Sequence, residues 1–252
     1  MDEPLLRVVQ VSKRFGGLLA IDRASLTAEA SRITALIGPN GAGKTTLFSI
    51  ISGFLPPSDG RIVYAGNNIA GTPPDRLARR GIARTFQIVQ PFAGLTVREN
   101  IAVGSHLSRL RRADALAAAD DVARAVGLGE ALDRPAAGLT VAGRKRLELA
   151  RALAIEPRLL LLDEVLAGLN PSEIRDMVPV IRAVVDRGIT IVMIEHVMQA
   201  VVSLAEHVFV LSEGRIIAEG SPRAIAADPR VVEAYLGKGA AGRMMAEGGA
   251  HV

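Results

Sequence analysis

The sequence predicts an α/β protein built on a mainly parallel sheet, and three observations predict it. "RLLLLDE" and "GITIVMIEH" are continuous apolar runs, the pattern of strands buried on both faces. "RITALIG" runs straight into a glycine-rich turn and then a helical pattern. Strand and helix patterns also alternate along the chain, which demands crossover connections and so parallel neighbours.

In chain order, "RVVQVSKRF" and "RITALIG" read as short β segments before residue 38. A helix follows over roughly residues 44–53 and stops near the turn signal "PPSDG". "GRIVYAGNNI" reads as a hairpin strand. From about residue 73 to 153 the character changes. "DRLARR", "TVRENIAVG" and the alanine-rich "RRADALAAADDVARAVGL" read as helices, so this stretch is expected to be a helical subdomain inserted in the α/β core. The strand "RLLLLDE" comes next, then a helix around residues 171–187 and the strand "GITIVMIEH". "HVFVLSEGRIIAEG" reads as strand, turn, strand, and "PRAIAAD" and "PRVVEAYLG" as short terminal helices. One domain is expected over residues 5–236, followed by a loose Gly- and Ala-rich tail over 237–252. No repeat or heptad run interrupts this plan.

Composition narrows the function classes. With 252 residues, 49% of them hydrophobic, the chain can bury a large core. Only 3% of residues are aromatic and Trp is absent, so base-stacking surfaces are poorly supplied and no nucleic-acid partner is expected. Thirty basic residues against 26 acidic ones give a net charge of +4, the balance of a mixed solvated surface, with anionic lipid as the second reading. Cysteine is absent, which removes disulfides and thiolate chemistry. The start "MDEPLLRVVQ" lacks the basic and apolar regions of a signal peptide. No apolar run reaches the ~20 residues that span a bilayer. A soluble protein that meets a membrane only through a partner is expected.

The chemistry concentrates in a few motifs. "GPNGAGKT" fits G-x-x-x-x-G-K-[ST] and sits where such a loop must, after an apolar strand and before a helix. Its glycines let backbone amides wrap phosphates, Lys44 reaches the β/γ oxygens and the Thr45 hydroxyl ligates Mg²⁺. Gly38, Pro39, Asn40, Gly41, Ala42, Gly43, Lys44, Thr45 and Thr46 are therefore the candidate phosphate-binding residues. "LLLLDE" puts Asp163 at the carboxyl end of a buried strand, where it can hold Mg²⁺ through water, and Glu164 beside it can polarise an attacking water. His196 ends "ITIVMIEH", within reach of a γ-phosphate. Gln87 in "RTFQ" is a candidate for Mg²⁺ and the attacking water, and Phe15 for stacking on a base, with a core Phe as the even alternative. A second stretch, "LTVAGRKRLELARAL" over residues 139–153, also begins as a small-residue loop and enters a helix, a second place that suits an anion.

Together, in this order and spacing, the phosphate loop, Gln87, the 139–153 segment, "LLLLDE" and His196 resemble the ATPase subunits of ABC transporters over residues 5–236. The resemblance implies a P-loop NTPase core with an antiparallel β subdomain and an inserted helical subdomain. It implies ATP and Mg²⁺ as cofactors, and two domains packed head to tail. Each nucleotide then lies between the phosphate loop of one domain and the signature helix of the other, which accounts for two anion-seeking loops in one chain. The signature departs from the family's Leu-Ser-Gly-Gly-Gln: it reads Leu139, Thr140, Val141, Ala142, Gly143. Thr140 keeps a hydroxyl for the γ-phosphate. An Ala142 forced into a left-handed backbone costs about 1–2 kcal/mol, but at a helix entry with negative φ the cost is small. The second case is expected, with Gly143 following and Arg144 and Lys145 adding charge. Val165 stands for a frequent Pro and Asn170 for a frequent Asp.

Within that family, "FGGLLAID", "GIARTFQ", "LTVREN", "EVLAGLNP", "IEH" and "DPRVVEAYLG" resemble the ATPase subunit of bacterial branched-chain amino-acid importers. This implies peripheral attachment at the cytoplasmic face of the membrane. The implied partners are a second ATPase subunit, like or unlike, transmembrane permease subunits and, indirectly, a solute-binding protein. Residues about 86–104 are expected to face the permease. The alternative is an ABC-type ATPase with a non-transport or regulatory role and weak hydrolysis. A DNA-repair head needs a long coiled-coil insert that is absent here, and a GTPase needs an Asn-Lys-x-Asp motif that is also absent.

Overall fold

The computed structural model describes residues 3–87, 90–109 and 111–236, with Leu236 described by its backbone alone. The expected tail over 237–252 lies outside them. In chain order the elements are β1 (Leu6–Phe15), β2 (Leu18–Ala28), β3 (Ile33–Ile37), α1 (Lys44–Ile51), β4 (Asp59–Tyr64), β5 (Asn67–Asn68), α2 (Pro74–Arg79) and β6 (Ile82–Arg84). Then come α3 (Val97–Ser105), α4 (Arg112–Ala125), α5 (Val141–Leu153), β7 (Leu159–Asp163), α6 (Pro171–Asp186), β8 (Thr190–Ile194) and α7 (Met198–Leu204). The chain closes with β9 (His207–Ser212), β10 (Arg215–Gly220), α8 (Pro222–Ala226) and α9 (Pro229–Leu236).

Among the described residues the strands form two sheets. One has the order β10-β9-β3-β8-β7-β6, with β9 through β6 parallel and β10 antiparallel at the edge. The other, β2-β1-β4-β5, is antiparallel. This is the α/β architecture that the apolar runs predict, and the packing shows why they are continuous. Leu160, Leu162, Ile191 and Met193 face a cluster with α5, α6 and α7, while Leu159, Leu161, Val192 and Ile194 face a cluster with α1 and the antiparallel sheet. With both faces covered, neither parity of the strand can be polar.

The helices α3 and α4 join the first cluster. Ala115, Ala119 and Ala123 of α4 are fully buried and spaced four apart, so the alanine-rich face is a close-packing face rather than a mere helix former. Thr96 caps α3 through a reciprocal capping box with Glu99, and Asn170 caps α6 in the same way with Glu173.

Three elements escape the sequence pattern. No strand is expected over 18–28, yet β2 is there, because register shifts in its pairing with β1 break the alternation that marks a strand. Within the helix-rich stretch 73–153, β6 extends the parallel sheet beside β7, and its three residues are too few to show a period. The short helix α7 fills the link between β8 and β9.

Candidate functional site

The phosphate loop takes its shape from glycine and from the strand before it. All five residues of β3 are buried, so the chain leaves the sheet abruptly at Ile37. Gly38 has φ +152°, and a Cβ there would lie 1.9 Å from the Leu211 carbonyl oxygen. Gly43 has φ +104°, and a Cβ would meet Ile21 Cδ1 at 2.6 Å and the Ala20 carbonyl at 2.8 Å. Only glycine fits either place. Gly43 caps α1 without a side-chain bond, which leaves the helix's first amides to a ligand. Asn40, Gly41 and Thr45 are exposed, Pro39 and Thr46 are half-buried, and Ala42 is buried.

Lys44 curls back over the loop. Its Nζ donates to the carbonyls of Gly38 (2.7 Å) and Pro39 (3.0 Å). Burial lowers its pKa, opposed by the charges of Glu164 and Asp163. A partly desolvated ammonium held by two carbonyls can exchange them for stronger, anionic acceptors.

Asp163 ends β7 and is buried, with its backbone N–H donating to Thr85 Oγ1 (3.0 Å). Oδ2 accepts from Arg84 Nη2 at 2.8 Å, while Oδ1 is buried without a partner. Glu164 follows with φ +49°, a left-handed conformation that costs a non-glycine residue about 1 kcal/mol or more. Its backbone is held on both sides: the N–H donates to Ile194 O (3.0 Å) and the carbonyl accepts from Lys145 Nζ (3.0 Å). Its carboxylate accepts from Gln87 Nε2 at 2.7 Å. Lys145 also donates to the Gln87 carbonyl (3.3 Å). The structure thus brings Gln87 and Glu164, 77 positions apart, onto one hydrogen bond. Thr45, Gln87 and Asp163 line one cavity.

The other candidates stand apart from this cluster. His196 is exposed two residues beyond β8. Phe15 ends β1 and is 45% exposed, with Lys13 Nζ 5.2 Å from its ring centroid. Thr140, Ala142 and Gly143 line a second cavity, with Leu169 and Glu173, that shares no lining residue with the first. Thr140 is the N-cap of α5, accepting from Gly143 N–H at 3.1 Å. Ala142 lies in the first turn of α5 and is not among the positive-φ residues, so the left-handed penalty does not arise.

One charge expectation is corrected. Lys145 does not add to the anion pole at the start of α5: it is 7% exposed and turned to Gln87 and Glu164. The periodicity of α5 carries the signal, since Lys145 shares its inward face with Leu149. Sequence reasoning also passed over Arg84 and Glu195. Glu195 is buried, its Oε1 accepts from Leu166 N–H (2.9 Å), and its pKa is pushed up to about 7, chiefly by burial and further by the charge of Glu164. A charged residue directly after a buried strand is the signal that marks Glu195, whereas β6 is too short for the sequence to mark Arg84 in the same way.

Comparison with known proteins places this site in a family. The ABC transporter family model matches residues 21–167. The chain is 37% identical to the high-affinity branched-chain amino acid transport ATP-binding protein BraF of Pseudomonas aeruginosa, over 94% of this chain and 100% of that protein. The chain belongs to the ABC transporter ATPase family. The E. coli K12 relative of this ABC ATPase, LivG, a protein of the same description, gives the same figures: 37%, 94% and 100%. A second family model, the branched-chain amino acid ATP-binding cassette transporter, matches residues 215–241 of the cassette. Its fold matches a nucleotide-free ATP-binding cassette of an ABC transporter at a TM-score of 0.86, with 31% identity over 94% of this chain and 100% of that one. The ADP conformation of MJ1267, another such cassette, matches with the same TM-score of 0.86, the same 31% identity and the same coverage of 94% and 100%. The family resemblance and the fold class read from the motifs are both borne out.

Proposed function

We propose that this ABC ATPase binds and hydrolyses ATP as a subunit of an importer that takes up branched-chain or related amino acids through a membrane permease. Family membership and full-length similarity to branched-chain amino-acid transport ATP-binding proteins support the transport role. The observation that carries the catalytic reading is the 2.7 Å bond between Gln87 and Glu164, in the same cluster as Lys44 and Asp163.

In this reading residues 38–46 cradle the phosphates, Lys44 trades its two carbonyl partners for β/γ oxygens, and Phe15 stacks on the base. Glu164 is the general base, oriented by Gln87, and His196 senses the γ-phosphate. The residues present fit a metal: Thr45 is exposed, and Asp163 keeps a buried oxygen with no partner, a group that calls for one. Thr45, Gln87 and, through water, Asp163 would hold Mg²⁺, which when bound neutralises charge on the phosphate oxygens.

The two separate cavities support closure in trans. Within one chain, Thr140–Gly143 and the phosphate loop do not share a cavity. A second ATPase subunit, like or unlike, brings its own Thr140, Ala142 and Gly143 over this chain's nucleotide. Residues 5–236 act as one ATPase unit whose helical subdomain, about 73–153, meets the permease at the cytoplasmic face. Among the described residues no helix is long and apolar enough to cross a membrane.

The test is Glu164→Gln in the assembled importer. ATP binding is expected to persist while turnover and amino-acid uptake fall by about a hundredfold or more. Normal turnover removes Glu164 from the mechanism. Hydrolysis by the wild type that is weak and indifferent to the permease supports the regulatory alternative.

A further inference from the structure

Arg84 is buried where the nucleotide reading has no task for it. Its side chain is 7% exposed and that of Asp163 is 2% exposed. The two terminal nitrogens of the guanidinium donate to two elements, while Nε is buried without a partner. Nη2 donates to Asp163 Oδ2 at 2.8 Å, at the end of β7. Nη1 donates to Ser49 Oγ (3.0 Å) within α1 and to Ser52 Oγ (3.1 Å) just past its end. Three rings surround the group, those of Phe86, Phe48 and Phe54, at 5.4, 5.9 and 5.9 Å from Cζ.

A buried ion pair is a poor device for stability. Its desolvation cost offsets most of the attraction, and apolar residues of the same volume serve as well. What it supplies is geometry. A guanidinium is planar with donors in a fixed fork, so three bonds fix the carboxylate relative to α1. That helix carries Thr45. One oxygen of Asp163 is occupied and the other is left without a partner.

We propose that Arg84 is a positioning residue for the nucleotide's metal: it braces Asp163 against α1, so that Oδ1 and the Thr45 hydroxyl keep a fixed relation. The inference rests on the nucleotide-site reading above. Residues that orient metal-holding groups have a characteristic effect when removed, a loss of metal affinity of about 10- to 100-fold. The loss belongs to the metal and not to the nucleotide's phosphate loop, whose Lys44 and glycines Arg84 does not touch.

The experiment measures binding of ATP to the full-length chain twice, once in EDTA and once with saturating Mg²⁺, and repeats the second with Mn²⁺. No turnover is needed for either reading. The ratio of the two affinities is the metal's contribution. In Arg84→Met, which keeps volume and removes the fork, the ratio is expected to fall about tenfold or more while affinity in EDTA stays within about twofold. Arg84→Lys, which retains the charge but not the fork, is expected to lie between Met and wild type. An unchanged ratio in both variants overturns the proposal, and so does an equal loss in EDTA and in Mg²⁺, which marks a purely structural residue. Should Arg84→Met fail to fold, Arg84→Lys decides alone: a wild-type ratio refutes the brace. Failure of the wild type to bind ATP under either condition refutes the nucleotide site itself, whereas wild-type binding with unaffected variants refutes only the role of Arg84.

Discussion

Glu195→Gln is expected to gain stability relative to the wild-type ABC ATPase as pH rises from acid to alkaline. The carboxyl lies 1% exposed at the end of β8. Burial is the largest influence on it and raises its pKa; the N–H groups of Leu166 and His196 pull it down, and the nearby Glu164 charge raises it further. The net result is a rise from 4.5 to about 7. A raised acid favours its protonated form in the folded chain. Its contribution is therefore fully present below about pH 4.5 and is lost as pH climbs through about 7. At roughly 1.4 kcal/mol per tenfold change in proton affinity, the loss is about 3 kcal/mol. Gln keeps the shape and an acceptor for Leu166 N–H but carries no proton to lose. The amide also places an N–H₂ where Oε2 now lacks a partner, which costs about 1–3 kcal/mol at every pH. The informative quantity is thus the slope. Urea unfolding followed by far-UV circular dichroism at pH 5, 6, 7 and 8 gives the free energies, and the variant-minus-wild-type difference should rise by about 2.5 kcal/mol across that range. Parallel pH profiles for the two proteins would show that Glu195 is not protonated by burial.

Other outcomes follow from single contacts. Gly43→Ala forces a Cβ to within 2.6 Å of Ile21 Cδ1 at φ +104°, so thermal unfolding should show a loss of at least about 1–2 kcal/mol, with ATP affinity falling in parallel. Asn170→Ala removes an acceptor for the N–H groups of Ser172 (2.9 Å) and Glu173 (3.0 Å) and should cost about 1 kcal/mol in urea unfolding. Lys145→Met keeps the buried stem but frees the carbonyls of Gln87 and Glu164. Turnover should drop about tenfold or more in a steady-state ATPase assay, with ATP affinity unchanged.

The motifs that name the family were legible because their chemistry is local. Glycines that must take φ +152° and +104° with a lysine right after the second form one short run, and an acid after four buried leucines forms another. The parallel core was legible for the same reason: β3, β7 and β8 are buried along both faces, and composition alone reports that. Short or irregular pieces were not. The period of β2 is broken by bulges, and β6 is a strand only because β7 offers it an edge.

What the sequence by itself determined was a parallel α/β core and a phosphate loop, with the acids and polar strand-ends that such a loop needs. What only the tertiary structure decided was which of those groups touch. Arg84 meets Asp163 across 79 positions, Glu195 reaches Leu166 across 29, and Lys145 turns inward to Gln87 across 58. A buried charge must find a partner wherever the fold brings one, and chain order does not specify that neighbour.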